Sequence, residues 1–503
     1  MTLAVAPAIA QPSRTSIALD ASAKGAKIDR RIFGQFAEHL GTGIYGGLWV
    51  GPDSSIPNTR GYRNDVVAAL KALKVPLVRW PGGCFADEYN WREGIGPRAS
   101  RPVKINTHWG GVTEDNAFGT HEFMDFAEMI GAEPYVSGNV GNGTPREMAE
   151  WVEYMTAPAG SLADLRKANG RATPWKLTMM GIGNELWGCG GNMRAEYAAD
   201  VTRRFSTFIK TPAGTNTLKI ASGANSTNYD WTEVMMREAA RQIDGVGVHY
   251  YTIGADKWPP SKAATGFGRD DWARILDSTL KMEEIVTKHS AIMEKYDPEK
   301  RVILAVDEWG SWYAATPGSR PGFLVQQNSI RDALITSLNI NIFARHADRV
   351  RIANIAQMIN VLQAMILTEG DKMVLTPTYH VFKMYIPFQD ATFVPVTYDK
   401  GEYREGAFTL PRIDAIAARG TDGKMWLSVT NLHASEANET DLTVAGLKVT
   451  SVSGETLTAP AVDSVNTFAN PALVQPKPAQ AQARGGKVRL TLPPRSVTVV
   501  RLN

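Results

Sequence analysis

The stretch Thr178-Met-Met-Gly-Ile-Gly-Asn-Glu185 opens apolar and ends in a carboxamide and a carboxylate, followed by Leu186-Trp187-Gly188. A short apolar run of this kind fits a strand buried on both faces. Polar groups at its C-terminal end then stand at the mouth of a barrel or sheet, where barrel enzymes keep their chemistry. Taken alone, the stretch also fits a strand ending in a helix cap. A second stretch, Arg301-Val-Ile-Leu-Ala-Val-Asp-Glu308-Trp-Gly310, repeats the design: an apolar run, a terminal glutamate, then Trp-Gly. Two such strands in one chain suggest two carboxylates facing each other across a pocket, the arrangement that glycoside hydrolysis needs.

Working outward, the chain alternates strand and helix. The other strand candidates are Ile32–Glu38, Pro76–Trp80, Glu133–Ser137, Leu218–Ser222, Gly245–Tyr251 and Arg349–Asn354. Amphipathic segments lie between them, at Asn64–Leu73, Gly119–Met129, Asn192–Phe205, Asp277–Val286 and Ser329–Leu338. Eight strands alternating with helices predict a (β/α)8 TIM barrel. An open doubly wound sheet would need a Gly-rich phosphate loop after its first strand, and none is seen. Near Pro387 the texture changes to short alternating runs separated by turn signals, among them Lys424–Thr430, Lys487–Leu492 and Ser496–Arg501, which read as an all-β sandwich. The stretch Ala461–Gly486, rich in Pro, Ala and Gln, reads as a long loop within it.

Composition sets outer limits. At 503 residues with 44% hydrophobic, the chain is too long for one compact unit. A formal charge of +3 leaves no basic stripe for nucleic acid. No apolar run reaches membrane-spanning length. Cys84 and Cys189 are the only cysteines, and so far apart they suggest neither a disulfide framework nor a metal cluster. Ala8-Ile9-Ala10 before Gln11 has the look of a signal-peptidase site without a positive n-region. That fits the end of an export signal, which implies a periplasmic protein, or a disordered tail on a cytoplasmic one.

Almost every strand candidate ends in a group able to bind or react: Glu38 with His39, Arg79 with Cys84, Asn139, Asn184 with Glu185, Asn225, His249 with Tyr251, Glu308 and Gln357. Singly, each fits a polar cap. Recurring at one relative position, they converge on one pocket in a barrel. Breaking a glycosidic bond with retention needs a proton donor for the leaving oxygen and a nucleophile at the anomeric carbon. Glu185 is the expected acid/base, its pKa raised once Glu308 is ionised nearby, and Glu308 is the expected nucleophile. Tyr251 is placed to donate to Glu308. Asp307 should point to the opposite face of its strand and serve structure. For a lone histidine such as His249, a structural or substrate-contacting role outweighs general base. The sequence contains no His-Glu-x-x-His, no Cys/His cluster and no Walker loop, so neither a metal nor an organic cofactor is expected.

The motifs Phe36-Ala-Glu-His-Leu-Gly41, Arg79-Trp-Pro-Gly-Gly-Cys-Phe-Ala-Asp-Glu-Tyr89, Asn106-Thr-His-Trp-Gly-Gly111, Gly181-Ile-Gly-Asn-Glu-Leu-Trp-Gly-Cys-Gly-Gly-Asn-Met193, Val306-Asp-Glu-Trp309 and Asn354-Ile-Ala-Gln357 run through essentially the whole barrel. On them the chain resembles the α-L-arabinofuranosidases of glycoside hydrolase family 51. The resemblance implies a retaining exo-enzyme that releases terminal α-L-arabinofuranose from arabinoxylan, arabinan or their oligosaccharides, with Glu185 as acid/base and Glu308 as nucleophile. It implies that Glu38, Cys84, Asn184, Tyr251 and Gln357 contact the sugar or the catalytic carboxylates, with Trp109 and Trp187 lining the cleft. It further implies homo-oligomers, such as hexamers or trimers of dimers, and an N-terminal strand that joins the C-terminal sandwich. Some members carry Asn where this chain has Cys84, and a thiol is the poorer hydrogen-bond partner, so furanoside preference depends on that position. The division expected is 1–13 as signal remnant or tail, 14–28 as the strand joining the sandwich, 29–387 as the barrel, and 388–503 as a jelly-roll-like sandwich. Competing readings are a retaining endo-glycanase on xylan or glucan and a non-catalytic carbohydrate-binding protein.

Overall fold

The computed structural model describes residues 13–255, 258–484 and 487–503. The signal-like segment therefore lies outside the described residues. The first element, β1 (Ser13–Asp20), does not enter the barrel. The closed barrel is built from β2 (Gly34–Phe36), β3 (Leu77–Trp80), β4 (Glu133–Gly138), β5 (Met179–Ile182), β6 (Leu218–Asn225), β7 (Gly245–Thr252), β8 (Ile303–Ser311) and β9 (Val350–Ile355). Neighbouring strands pair in parallel, and β9 closes on β2. This is the (β/α)8 barrel expected from the sequence.

Leu77, Tyr135, Met179, Ile220, Ile303, Ala305 and Ile352 form one buried interior cluster. Most of these sit at or near the start of their strands, so this cluster plugs the barrel below the strand ends. The crossover helices are stopped and started by ordinary local chemistry. The helix Pro145–Thr156 begins with Pro at its first turn and a capping box from Thr144 and Glu147. The helix Asn64–Leu73 ends on Lys74 in the left-handed conformation.

The helix Ile330–Arg345 is buried on every side. Such a helix belongs between two cores, and Ser337 and Asn341 find partners on the second domain. Ser337 Oγ lies 2.8 Å from Thr430 Oγ1, and Asn341 donates to Asp414 over 2.7 Å. Among the described residues that domain has two large sheets, beside a small hairpin of Glu402–Glu405 and Phe408–Pro411. One orders Val396–Tyr398, β1, Asn438–Ala445, Lys487–Leu492 and Gln480–Arg484. The other orders Thr392–Val394, Ile413–Arg419, Met425–Asn431, Ser496–Leu502, Val452–Leu457 and Lys477–Pro478. Ile17, Leu427, Leu442 and Leu490 pack into the core between them. β1 pairs in parallel with Asn438–Ala445 over its whole length.

The stretch expected as a long loop, Ala461–Gly486, needs correction. Gln480–Arg484 is an edge strand paired with Lys487–Leu492. Its Gln-Ala-Gln-Ala-Arg pattern alternates, yet alanine gives too weak an apolar signal for an exposed edge to stand out. No helix among the described residues is long and apolar enough to cross a membrane.

Candidate active site

The strand ends and the loops beyond them line a pocket that opens to solvent. Its wall includes Glu38, Cys84, Trp109, Asn184, Glu185, Tyr251, Glu308 and Gln357. Carboxylate oxygens of Glu185 and Glu308 lie within 4.8 Å of each other and of a His249 ring nitrogen. Retaining glycosidases hold their two carboxyl groups about 5–5.5 Å apart, whereas inverting ones need about 6.5–9.5 Å for a water. So close an approach of two oxygens fits the first kind better than the second.

Glu308 lies within β8, and its side chain is gripped from two sides. Arg79, at the end of β3 and 1% exposed, donates from Nη1 to Glu308 Oε1 over 2.8 Å. Its Nη2 donates to Asn184 Oδ1 over 2.6 Å. Tyr251 donates its hydroxyl to Glu308 Oε2 over 2.8 Å. Burial alone would lower the Arg79 pKa, but the charges of Glu308 and Asp307 outweigh it and hold the guanidinium above its ordinary value. Burial and the charge of Glu308 push the Tyr251 pKa well up, so it stays a neutral donor.

Glu185 stands three residues past β5 with a left-handed backbone, φ 43°. His249 Nδ1 lies 2.9 Å from its Oε1. Burial raises the Glu185 pKa, and the charge of Glu308 raises it further against the opposing pull of His249. A carboxyl group that keeps its proton beside an ionised one is what an acid catalyst requires. His249 also approaches Asp307 Oδ1 at 3.3 Å through Nε2 and Glu308 Oε2 at 3.5 Å through Nδ1. Burial lowers the His249 pKa, but Glu308, Asp307 and Glu185 together push it up to about 10, making it an imidazolium beneath the pair.

Asp307 departs from the sequence expectation. Simple alternation would turn it away from Glu308, yet both face the barrel interior. The register between β7 and β8 explains this. Gly247 pairs with Ala305 and His249 with Glu308, two steps on one strand against three on the other. The extra residue is a bulge, and it re-aims the side chains that follow. Asp307 accepts from the Tyr135 hydroxyl over 2.8 Å. Burial would raise its pKa, but His249, Arg79 and Tyr135 hold it below the ordinary carboxylate value.

Cys84 and Cys189 form a disulfide, contrary to the reading from their separation. Cys84 follows β3 and Cys189 follows β5, only two strands away in the barrel, so 105 residues of sequence collapse to a Cα–Cα distance of 5.5 Å. A disulfide sulfur has no proton to give, so the hydrogen-bonding argument built on a free Cys84 thiol no longer applies. Cys189 Sγ lies 3.7 Å from Glu185 Oε2 as a packing contact. Two side-chain groupings among the described residues have metal-ligand spacing. One includes both disulfide sulfurs and so lacks thiolates. The other is Glu185, His249 and Glu308, already linked to one another.

Glu38, from the loop after β2, accepts from Trp109 Nε1 at 2.9 Å, the Phe85 N–H at 3.1 Å and Gln357 Nε2 at 3.2 Å. Burial and Glu308 push its pKa up to about 7 against those donors. The Gln357 carboxamide oxygen is buried and has no protein partner. Trp187 stands outside the pocket wall, its indole N–H bonded to the Gly223 carbonyl. Asn139 caps its own loop through Gly143 N, and Asn225 is exposed. The sequence reading missed Trp312, Leu40, Leu324 and Leu362 in the wall. Trp312 had a signal, since it lies four residues after Glu308. The leucines sit in loops without periodicity.

Comparison with known proteins adds to this geometry. Residues 69–257 match the model described as α-L-arabinofuranosidase 1 domain, and residues 307–496 match the α-L-arabinofuranosidase C-terminal domain. The two glutamates fall one in each. A Bacteroides ovatus protein named intracellular exo-α-L-arabinofuranosidase is 49% identical over 480 residues, covering 94% of this chain and 93% of that protein. The crystal structure of the family 51 arabinofuranosidase from Xanthomonas axonopodis pv. citri superposes with a TM-score of 0.96 at 57% identity, covering 97% of this chain and 100% of that one. The arabinose complex of the Thermotoga maritima α-L-arabinofuranosidase gives 0.84 at 29% identity, covering 97% and 99%.

Proposed function

The chain belongs to the α-L-arabinofuranosidases of glycoside hydrolase family 51, retaining exo-acting enzymes, and from that premise we propose how its residues share the reaction. Glu308 attacks the anomeric carbon of a terminal α-L-arabinofuranosyl residue. Glu185 gives its proton to the departing glycosidic oxygen. A glycosyl ester on Glu308 results, and Glu185, now ionised, draws a proton from the water that attacks that ester. The observation that carries this reading is the close approach of the two carboxyl groups, one oxygen of each lying within 4.8 Å of the other, which favours the short retaining spacing over the wide inverting one.

The surroundings fit these roles. Arg79 and Tyr251 hold both oxygens of Glu308, so the attacking lone pair is aimed without rearrangement. When the ester forms, the charge that kept Glu185 protonated disappears, and its pKa falls as it turns from acid to base. The unpartnered carboxamide oxygen of Gln357 suits a hydroxyl of a furanose ring, and Glu38 stands beside it in the wall. Trp109 and Trp312 offer flat apolar faces at the pocket wall. The substrate class is an arabinose-containing glycan, and arabinan, arabinoxylan and their oligosaccharides are its proposed sources. The name of the Bacteroides relative supports an intracellular enzyme, and family membership supports a homo-oligomer, which sedimentation velocity tests.

An activated arabinofuranoside with fluorine in place of the 2-hydroxyl slows release of the ester and lets it accumulate. Peptide mapping by mass spectrometry should then place the sugar on Glu308. A label on any other residue contradicts the assignment.

A further inference from the structure

Residues Cys84–Glu88 form a 3-10 turn after β3. Within it Asp87 is 2% exposed and lies outside the pocket wall. Its Oδ1 accepts from the backbone N–H groups of Val140 and Gly141, both over 2.8 Å, in the loop beyond β4. Its Oδ2 accepts from the backbone N–H of Asn184, over 2.8 Å, in the loop beyond β5. One carboxylate thus joins three loops at the barrel mouth, and one of the three carries Glu185. Burial pushes the Asp87 pKa up to about 7 against these three donors.

The segment it holds is conformationally demanding. Gly183 and Glu185 both have left-handed backbones, φ 75° and 43°, with Asn184 between them. A non-glycine residue persists there only when its surroundings over-determine it. Gly190 closes the turn from the other side: a Cβ on it would lie 2.0 Å from the Asn184 carbonyl and 2.8 Å from Asp87 Oδ2. The Cys84–Cys189 disulfide ties the same two loops further out. The near end of the turn is held on either side of Glu185, by Asp87 at the Asn184 N–H over 2.8 Å and by Ser222 Oγ at the Leu186 N–H over 3.3 Å.

We propose that Asp87 is a positioning residue for the acid/base: by fixing the Asn184 peptide it sets the direction of the Glu185 side chain, while touching neither that side chain nor the sugar. The inference rests on Glu185 being the proton donor. A misdirected acid slows only reactions that need a proton on the leaving group, which separates positioning from general loss of structure. In Asp87→Asn an amide replaces the carboxylate, so one backbone N–H faces an NH2 group or a weaker acceptor.

The test compares Asp87→Asn and Glu185→Ala with the parent enzyme on two substrates, nitrophenyl α-L-arabinofuranoside and an alkyl α-L-arabinofuranoside. The expected result for Asp87→Asn is a fall in kcat/KM of about 100-fold on the alkyl substrate and less than about 10-fold on the nitrophenyl one. Glu185→Ala should show the same split, larger. Equal losses on both substrates in Asp87→Asn, or no loss on either, overturn the positioning role if Glu185→Ala still splits them. If Glu185→Ala does not split them, the acid/base assignment fails and takes this inference with it. Should Asp87→Asn not fold, Asp87→Glu, which keeps the charge and displaces it by one methylene, is read by the same ratio.

Discussion

Glu308 and Glu185 share one pocket, but the fold mounts them in opposite ways. Glu308 is part of a strand, paired on both edges, and each of its oxygens receives a hydrogen bond from Arg79 or Tyr251. Glu185 lies past its strand in a left-handed turn held from outside by Asp87, Ser222 and the disulfide. In the proposed roles, Glu308 as nucleophile has to be charged and aimed before the substrate arrives, and Glu185 as acid has to keep a proton in one half of the cycle and lose it in the other. A rigid cationic cradle suits the first task. A desolvated turn, whose pKa follows the charge opposite, suits the second.

Altered side chains can break this contrast, and the largest effect is expected from the nucleophile. Glu308→Gln should lower kcat by at least about 10⁴-fold on every arabinofuranoside, good leaving groups included, because no ester can form. Steady-state assay on a nitrophenyl arabinofuranoside checks it. The disulfide comes next, and its effect falls on stability. A paired Cys84→Ala, Cys189→Ala variant should lose about 3 kcal/mol, since the bond closes a long loop in the unfolded chain. Thermal unfolding with and without reductant reads that loss, and the parent in reductant should approach the variant.

Tyr251→Phe removes one of two hydrogen bonds to the nucleophile and leaves the charge of Arg79. A loss of about 10-fold in kcat, near 1.4 kcal/mol, is expected, similar on good and poor leaving groups. A loss confined to poor leaving groups would mean that Tyr251 serves Glu185 instead. The mildest change is a pH shift. Activity needs protonated Glu185, so kcat/KM falls as pH rises through its raised pKa. His249 opposes that rise, so His249→Gln should raise the Glu185 pKa further and move the alkaline limb to higher pH. A limb moving to lower pH would show that His249 acts through some other group.

Much of this was legible in the residues. The two apolar runs ending in Glu185 and Glu308 carry their strand signal locally, and both lie at the barrel mouth. What escaped depended on relations between strands. Asp307 was read by alternation, and the bulge that turns it inward exists only in the register between β7 and β8. The Cys84–Cys189 pairing arises from barrel closure, which places β3 and β5 on either side of β4. Trp187 looked like a cleft residue because it follows Glu185. The tight turn at Gly188 and Gly190, both donating to the Glu185 carbonyl, carries its indole toward Gly223 instead. Leu40, Leu324 and Leu362 sit in loops where apolar residues have no period to betray them.

The central claim is that the two carboxylates stand close enough for a sugar ester to form between them. Proton NMR of the first product formed from an α-L-arabinofuranoside, recorded before the anomers equilibrate, tests it most directly. The expected first product is α-L-arabinofuranose, with the β anomer growing in only later. A first product with β configuration would mean that water attacks the substrate directly, and the double displacement on Glu308 would be wrong.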